Sequence, residues 1–388
     1  MMEKVNVAIV GGGPIGLSMA CALTPLNLDV TIFEASDLTS LENPSPDGRE
    51  IAHTHASREI LAQLGIWDRL PQDEISELRD AAVFDGESTE PMRITHEDGN
   101  CDCLGWLIAN QHIKKAAFEA VRSDTKTHIE PKVSVISSSV TENKRLLALS
   151  DGRQVEADLV IAADSRFSNL RRVAGIGSRM RDYGRSMLLA KMQITEDHEH
   201  VAWEWFAYDR TLALLPLNGS MASAVITLPH EQAQHLAQLD ESAFNDAVSQ
   251  MFRHRLGDMT LQGERHLYPL IGVWPDRLID ERLAVLGDAA VGMHPVTAHG
   301  FNLGLKGVQI LSEELTRAGV EDLANPVRLR SYQRRHRLAS LPLYVATSAV
   351  VGLYSETRFG AKIARRSLLR IADRLTPFRR AVARQLTG

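Results

Sequence analysis

The residues best suited to chemistry lie in two glycine-rich stretches and a third motif between them. The first stretch, "VAIVGGGPIGLSMA" (Val7–Ala20), carries Gly11-x-Gly13-x-x-Gly16. Gly11 permits a tight turn, Gly13 lets the backbone approach a pyrophosphate, and Gly16 lets a helix pack closely on a strand. The free N–H groups at the start of that helix suit phosphate oxygens. Glu34, 18 residues after Gly16, suits the hydroxyls of a ribose, and its charge disfavours a 2′-phosphate. FAD and NAD both satisfy this pattern, and a tight turn without ligand is the bland alternative. The second stretch, "GDAAVGMHPVTAHGFNLGL" (Gly287–Leu305), contains Asp288, His294, His299, Gly300 and Asn302. A carboxylate at a strand end either accepts from sugar hydroxyls or caps the following turn. Between the two, "ADLVIAADSRFSNLRR" (Ala157–Arg172) spaces Asp164, Ser168 and Arg171.

Other chemistries find little support. The histidines follow no metal-ligand spacing, and Cys21, Cys101 and Cys103 read as reduced structural thiols. A charge of −6, from 43 basic and 49 acidic residues, gives no sign of a nucleic-acid partner. No apolar run of roughly 18 residues is present to span a membrane. The start, "MMEKVNVAIV", lacks the apolar region of a secretory signal, so the expected location is cytoplasmic.

The elements that must position these residues follow from the pattern. Val5–Val10 and Val30–Phe33 read as buried parallel strands flanking a helix over Leu17–Leu26. Arg282–Leu286 reads as a later strand, with a helix from about Leu305. Four stretches between Tyr183 and Leu228, "LLAKMQI", "VAWEWFAY", "TLALLPL" and "MASAVITL", read as successive strands of a second sheet.

From residue 5 to about 340 the chain resembles the FAD-dependent aromatic-ring monooxygenases of the p-hydroxybenzoate hydroxylase type. Asp164, Ser168 and Arg171 match that family's second motif, with Ser165 where glycine is usual. The stretch at Asp288 matches the third, whose aspartate binds the flavin ribityl chain. Gly300, Asn302 and Gly304 would bring backbone amides to the flavin ring. "SPDGREIAHTHASREILAQLGIWDRL" (Ser45–Leu70) puts Arg49 near the flavin or, alternatively, on the surface. "LGWLIANQHIKKAAFEAV" (Leu104–Val121) offers Asn110 as an FAD contact, with Gln111 next. The implied fold is α/β, a Rossmann-like FAD-binding domain (residues 1–75, 104–178 and 277–340) interleaved with a β-sheet substrate domain (76–103 and 179–276) and followed by a helical tail (341–388).

The words "LLPL", "YPL" and "HPVTAHGFNLGL" are most similar to the hydroxylases of ubiquinone biosynthesis, in particular a subgroup acting on demethoxyubiquinol-type intermediates. Thr297-Ala298-His299-Gly300 replaces their usual Ala-Gly-Gln-Gly. His299 either moves a proton beside the flavin or fills space there. The resemblance implies hydroxylation of a polyprenylated ubiquinone precursor through a flavin C4a-hydroperoxide, with NADH or NADPH as a transient donor and O2 as oxidant. Trp203, Trp205 and Phe206 either line the quinol pocket or belong to a core. Arg330–Arg337 reads as a solvated basic face. In the tail, bases at four-residue steps from Arg358 to Arg374 beside an apolar stripe form either a peripheral membrane contact on the inner face of the membrane or a docked helix. Assembly with a ubiquinone-biosynthesis complex is a further expectation. The competing readings are a soluble aromatic or quinolone hydroxylase of the same fold, and a non-catalytic flavin-binding scaffold.

Overall fold

The computed structural model describes residues 3–86, 90–207, 209–293, 300–355 and 376–387. The β-branched run at the start forms strand β1 (Glu3–Val10), and β2 (Val30–Glu34) pairs with it in parallel across the helix α1 (Pro14–Leu23). Pro14 starts that helix, where a missing N–H costs nothing. On the other side of β1 lies Gln154–Ala162, also parallel, and beyond it Leu283–Val285. The ends of β1, Gln154–Ala162 and Leu283–Val285 therefore lie side by side, each leading into one of the three motifs. The strands are nearly continuous hydrophobic runs because α1 and later helices cover the sheet: Val7, Ile9, Leu159 and Ile161 are wholly buried.

A second sheet of seven strands runs in the order Met259–Pro275, Ser178–Ile194, Met221–Pro229, Arg210–Pro216, Val201–Ala207, Asp80–Asp85 and Met92–Ile94. The four strands expected between Tyr183 and Leu228 are its middle. Its first member, 17 residues long, and the two drawn from residues 80–94 complete it. The helices His230–Gln238 and Glu241–Met251 cover one face, where Leu188, Leu212, Leu214, Ile226, Phe244 and Val248 make a separate core. Trp203 and Trp205 point into this core, with Trp205 Nε1 donating to Gly86 O at 2.8 Å. They therefore do not line the opposite face, and only Phe206 of the aromatic trio points that way. A third sheet, of Glu50–His53, Gly105–Ala109 and Ser76–Leu78, sits between the other two.

The helix after the second glycine stretch begins at Gly300 and runs to Ala318, a turn earlier than the sequence suggested. The following helix, Pro326–Ser355, is longer than expected and takes in "RSYQRRHR". That stretch is only partly a solvated face: Arg330 and Arg334 are exposed, whereas Tyr332 and His336 are buried. Arg335 pairs with Glu313 and Glu314 (2.6 and 2.8 Å), and Arg337 lies over the Trp274 ring. Packing of this helix on its predecessor gives those arginines partners. A last helix, Thr376–Thr387, docks through Val382, Ala383 and Leu386 onto Ile94 and Leu104, with Arg379 near Asp98 (3.5 Å). This end of the tail packs on the body; the basic stripe from Arg358 to Arg374 lies outside the described residues. Among the described residues no helix is long and apolar enough to cross a membrane.

Candidate functional site

The glycine loop has the geometry its composition requires. Gly11 takes φ +110°, and a Cβ there would stand 2.4 Å from Ala163 O. A Cβ on Gly16 would come within 2.0 Å of Gly11 O, so helix and turn could not close. Gly13 differs: among the described residues nothing lies within 4 Å of where its Cβ would be. Its backbone is open on the side where a phosphate would approach. Glu34 accepts from Gly12 N (2.6 Å) and Ser36 N (2.8 Å), which fixes its carboxylate under the loop at the end of β2.

A cleft of about 340 Å3 opens beside the loop, lined by Gly13, Pro14, Ser40, Pro44, Ser45, Asp47, Arg49, Asn110, Gln111 and Lys114. Asp47 organises it. Its Oδ2 accepts from Arg49 (2.5 and 2.9 Å) and from Asn110 Nδ2 (2.7 Å). Burial works against the Asp47 carboxylate, but the hydrogen bonds and charge of Arg49 outweigh it and hold the group below the usual range. Tyr268, from the second sheet, donates its hydroxyl to Asp47 O at 2.8 Å. Neighbouring Glu50 is pushed by burial up to about 7, against Lys191 and with the help of Glu74 and Asp47. Asp47 and Lys114 were not singled out in the sequence. Asp47 stands two residues before Arg49, and Lys114 lies four after Asn110, on the same side of one helix.

The second and third motifs interlock. Ser168 Oγ accepts from Arg171 N (3.0 Å) and caps a short helix. The buried Arg171 side chain reaches across to Ala289 O (2.7 Å). Asp164 accepts from Leu170 N through Oδ2 (3.3 Å), while its buried Oδ1 has no partner among the described residues. Asp288 meets Arg166 at 3.0 Å and is partly exposed. Asn302 spends its side chain on the third sheet, donating to Ala52 O (2.9 Å) and facing Thr54 N (3.5 Å). Gly304 gives close packing, since a Cβ there would lie 2.7 Å from Ile15 Cδ1. Gly300 opens the helix, and a Cβ on it would meet nothing within 4 Å among the described residues. His299, like His294, lies outside the described residues.

These groups fit FAD. Gly13 leaves an open backbone approach, Asp164 Oδ1 is a buried acceptor awaiting a donor, and the cleft supplies an arginine, an amide and a lysine. Glu34 and Asp288 are separate carboxylates at two strand ends, suited to two sugar-like hydroxyl groups.

The FAD binding domain family matches residues 4–341. The chain is 41% identical to ubiquinone hydroxylase UbiM of Neisseria meningitidis, over 99% of this chain and 84% of that protein. It is 32% identical to ubiquinone hydroxylase UbiL of Rhodospirillum rubrum, over 100% of this chain and 90% of that protein. With the 3-demethoxyubiquinol 3-hydroxylase of Escherichia coli the identity is 28%, over 86% of this chain and 85% of that protein. In fold it matches the crystal structure of p-nitrophenol 4-monooxygenase PnpA from Pseudomonas putida, with a TM-score of 0.81 and 17% identity, over 100% of this chain and 99% of that one. The chain belongs to the FAD binding domain family, within the flavin-dependent hydroxylases and monooxygenases.

Proposed function

We propose that this protein hydroxylates the aromatic ring of a polyprenylated ubiquinone precursor, with FAD, O2 and a nicotinamide donor. The carrying observation is the juxtaposition of a cleft beside the glycine loop with a sheet face that is apolar but dotted with polar groups. The names of its relatives supply the ring chemistry. FAD, reduced by the donor, supplies the activation of O2. The chain's residues do the rest. Gly11, Gly13 and Gly16 shape the diphosphate seat, Glu34 takes the adenosine ribose, and Arg49 and Asn110 flank the cofactor. Asp164 and Asp288 accept from hydroxyl groups of the cofactor, Asp288 on the ribityl chain, with Gly300 and Asn302 placing the first turn of a helix, and its positive end, toward the ring. His299 serves proton transfer beside it. In this reading residues 1–75, 104–178 and 277–340 hold the cofactor and 76–103 with 179–276 cover the substrate, excluding water.

A polyprenyl substrate resides in lipid, and we read a peripheral membrane contact on the same grounds. Leu338, Leu341 and Val345 are exposed (69%, 48% and 55%) along one side of the Pro326–Ser355 helix, and basic residues follow later in the sequence, from Arg358. Association with other enzymes of ubiquinone synthesis fits the same location. The functional test is aerobic complementation of strains each lacking one quinone-ring hydroxylase, with mass analysis of their quinones. Restored quinone in one strain is expected. Failure in every strain removes the reading, as does a colourless protein that takes up no FAD.

A further inference from the structure

Strand registers place His266, Leu189, Val225, Ala213, Glu204 and Val83 directly opposite one another in a single row across the second sheet. Directly opposed residues share a face. At one end of the row, Leu189 and His266 abut Gly48, beside Arg49. That end fixes which way the row points: toward the cofactor cleft and away from the helix-covered core. Trp203 and Trp205 flank Glu204 in sequence and point the other way. Three strand spacings, roughly 14 Å, separate Leu189 from Glu204. Glu204 is thus the carboxyl in the middle of a mostly apolar face, half-buried, with Val83 and Ala213 on either side.

We propose that Glu204 contacts the substrate: its carboxyl hydrogen-bonds an oxygen substituent of the aromatic ring and so sets which ring carbon meets the flavin. The assignment rests on the ring-hydroxylase reading above. Burial pushes this carboxyl well above the usual range, with no cation among the causes. The neutral acid so favoured carries an O–H to donate and a carbonyl oxygen to accept. Among the described residues it makes no hydrogen bond or ion pair, and a ring hydroxyl, methoxy or quinone oxygen supplies one. Asp85 and Thr211 share the face one position along, on the two adjoining strands. An apolar surface alone discriminates weakly between the edges of a substituted ring, whereas one buried polar contact discriminates strongly.

The test compares wild type, Glu204→Leu and Glu204→Gln as FAD-loaded proteins with a short-chain quinol. Loss of the contact in Glu204→Leu raises KM at least tenfold and lowers the hydroxylated product formed per donor oxidised, at unchanged FAD content. Glu204→Gln, which keeps a donor and an acceptor, retains most of the coupling. Should the leucine variant fail to fold, Glu204→Ser shortens the side chain and is read in the same way. A leucine or serine variant equal to wild type in KM and coupling overturns the contact alone. A wild type that hydroxylates no quinol or phenol overturns both the contact and the function it rests on.

Discussion

Asp288 holds Arg166 at 3.0 Å yet keeps about two-fifths of its side chain in contact with solvent, so it is available to a sugar hydroxyl. A hydrogen bond to a charged group contributes about 1.5–3 kcal/mol. Asp288→Ala is therefore expected to weaken FAD binding by roughly 10- to 100-fold, measured by flavin fluorescence titration; an unchanged affinity removes Asp288 from the site. His53 makes a different prediction. It is buried against Phe301 and Trp67, neither ring nitrogen has a partner among the described residues, and burial lowers it to about 3. The folded form thus resists a proton that the unfolded chain accepts from 6.5 downward. Its contribution to stability is intact above pH 6.5 and falls between 6.5 and 3 by up to about 1.4 kcal/mol per pH unit. His53→Leu should flatten the acid limb of the denaturation midpoint against pH. An identical limb would show that His53 gains its proton while folded.

At the scale of elements, the turn after β1 separates two kinds of glycine. Gly11→Ala collides with Ala163 O and is strained at φ +110°, so a loss of at least about 2 kcal/mol in stability is expected. Gly13→Ala has free space and an extended backbone. It should melt within about 0.5 kcal/mol of wild type while losing FAD. Equal FAD content in Gly13→Ala, judged by flavin absorbance, would mean that the phosphates approach elsewhere. The contrast also shows what was legible beforehand. The first loop was readable because every part of it, strand, glycines, helix and acid, lies within one local run. The strand Met259–Pro275 was not, since "MTLQGERHLYPLIGVWP" alternates poorly and is held by a long antiparallel pairing with Ser178–Ile194. Alternation in "WEWF" showed that both tryptophans share a face. Which face is buried under helices was decided by His230–Gln238 and Glu241–Met251, far along the chain. Arg49 and Asn110 were legible only through likeness to a family; Asp47, which joins them, becomes visible when two distant segments meet.

At the scale of the whole molecule, the cleft and the sheet face proposed for cofactor and substrate are brought together where Tyr268 meets the Asp47 loop. The lipid-borne substrate proposed above must reach that junction from a surface. Replacing both Leu338 and Leu341 by glutamate is expected to cut binding to anionic vesicles at least fivefold, with FAD content and melting unchanged because both side chains are exposed. Vesicle flotation at low and high salt reads this, and equal binding would discard the membrane contact. The final helix carries one more consequence. It covers Met92–Ile94, the edge strand of the second sheet, through Ala383, which is completely buried. An uncovered strand edge invites pairing with other chains. During synthesis that edge emerges well before its cover, which lies about 280 residues further along the chain. The sheet therefore waits, unguarded, until that helix is made, and a chain clipped just before Thr376 would keep its glycine loops yet expose a template for aggregation.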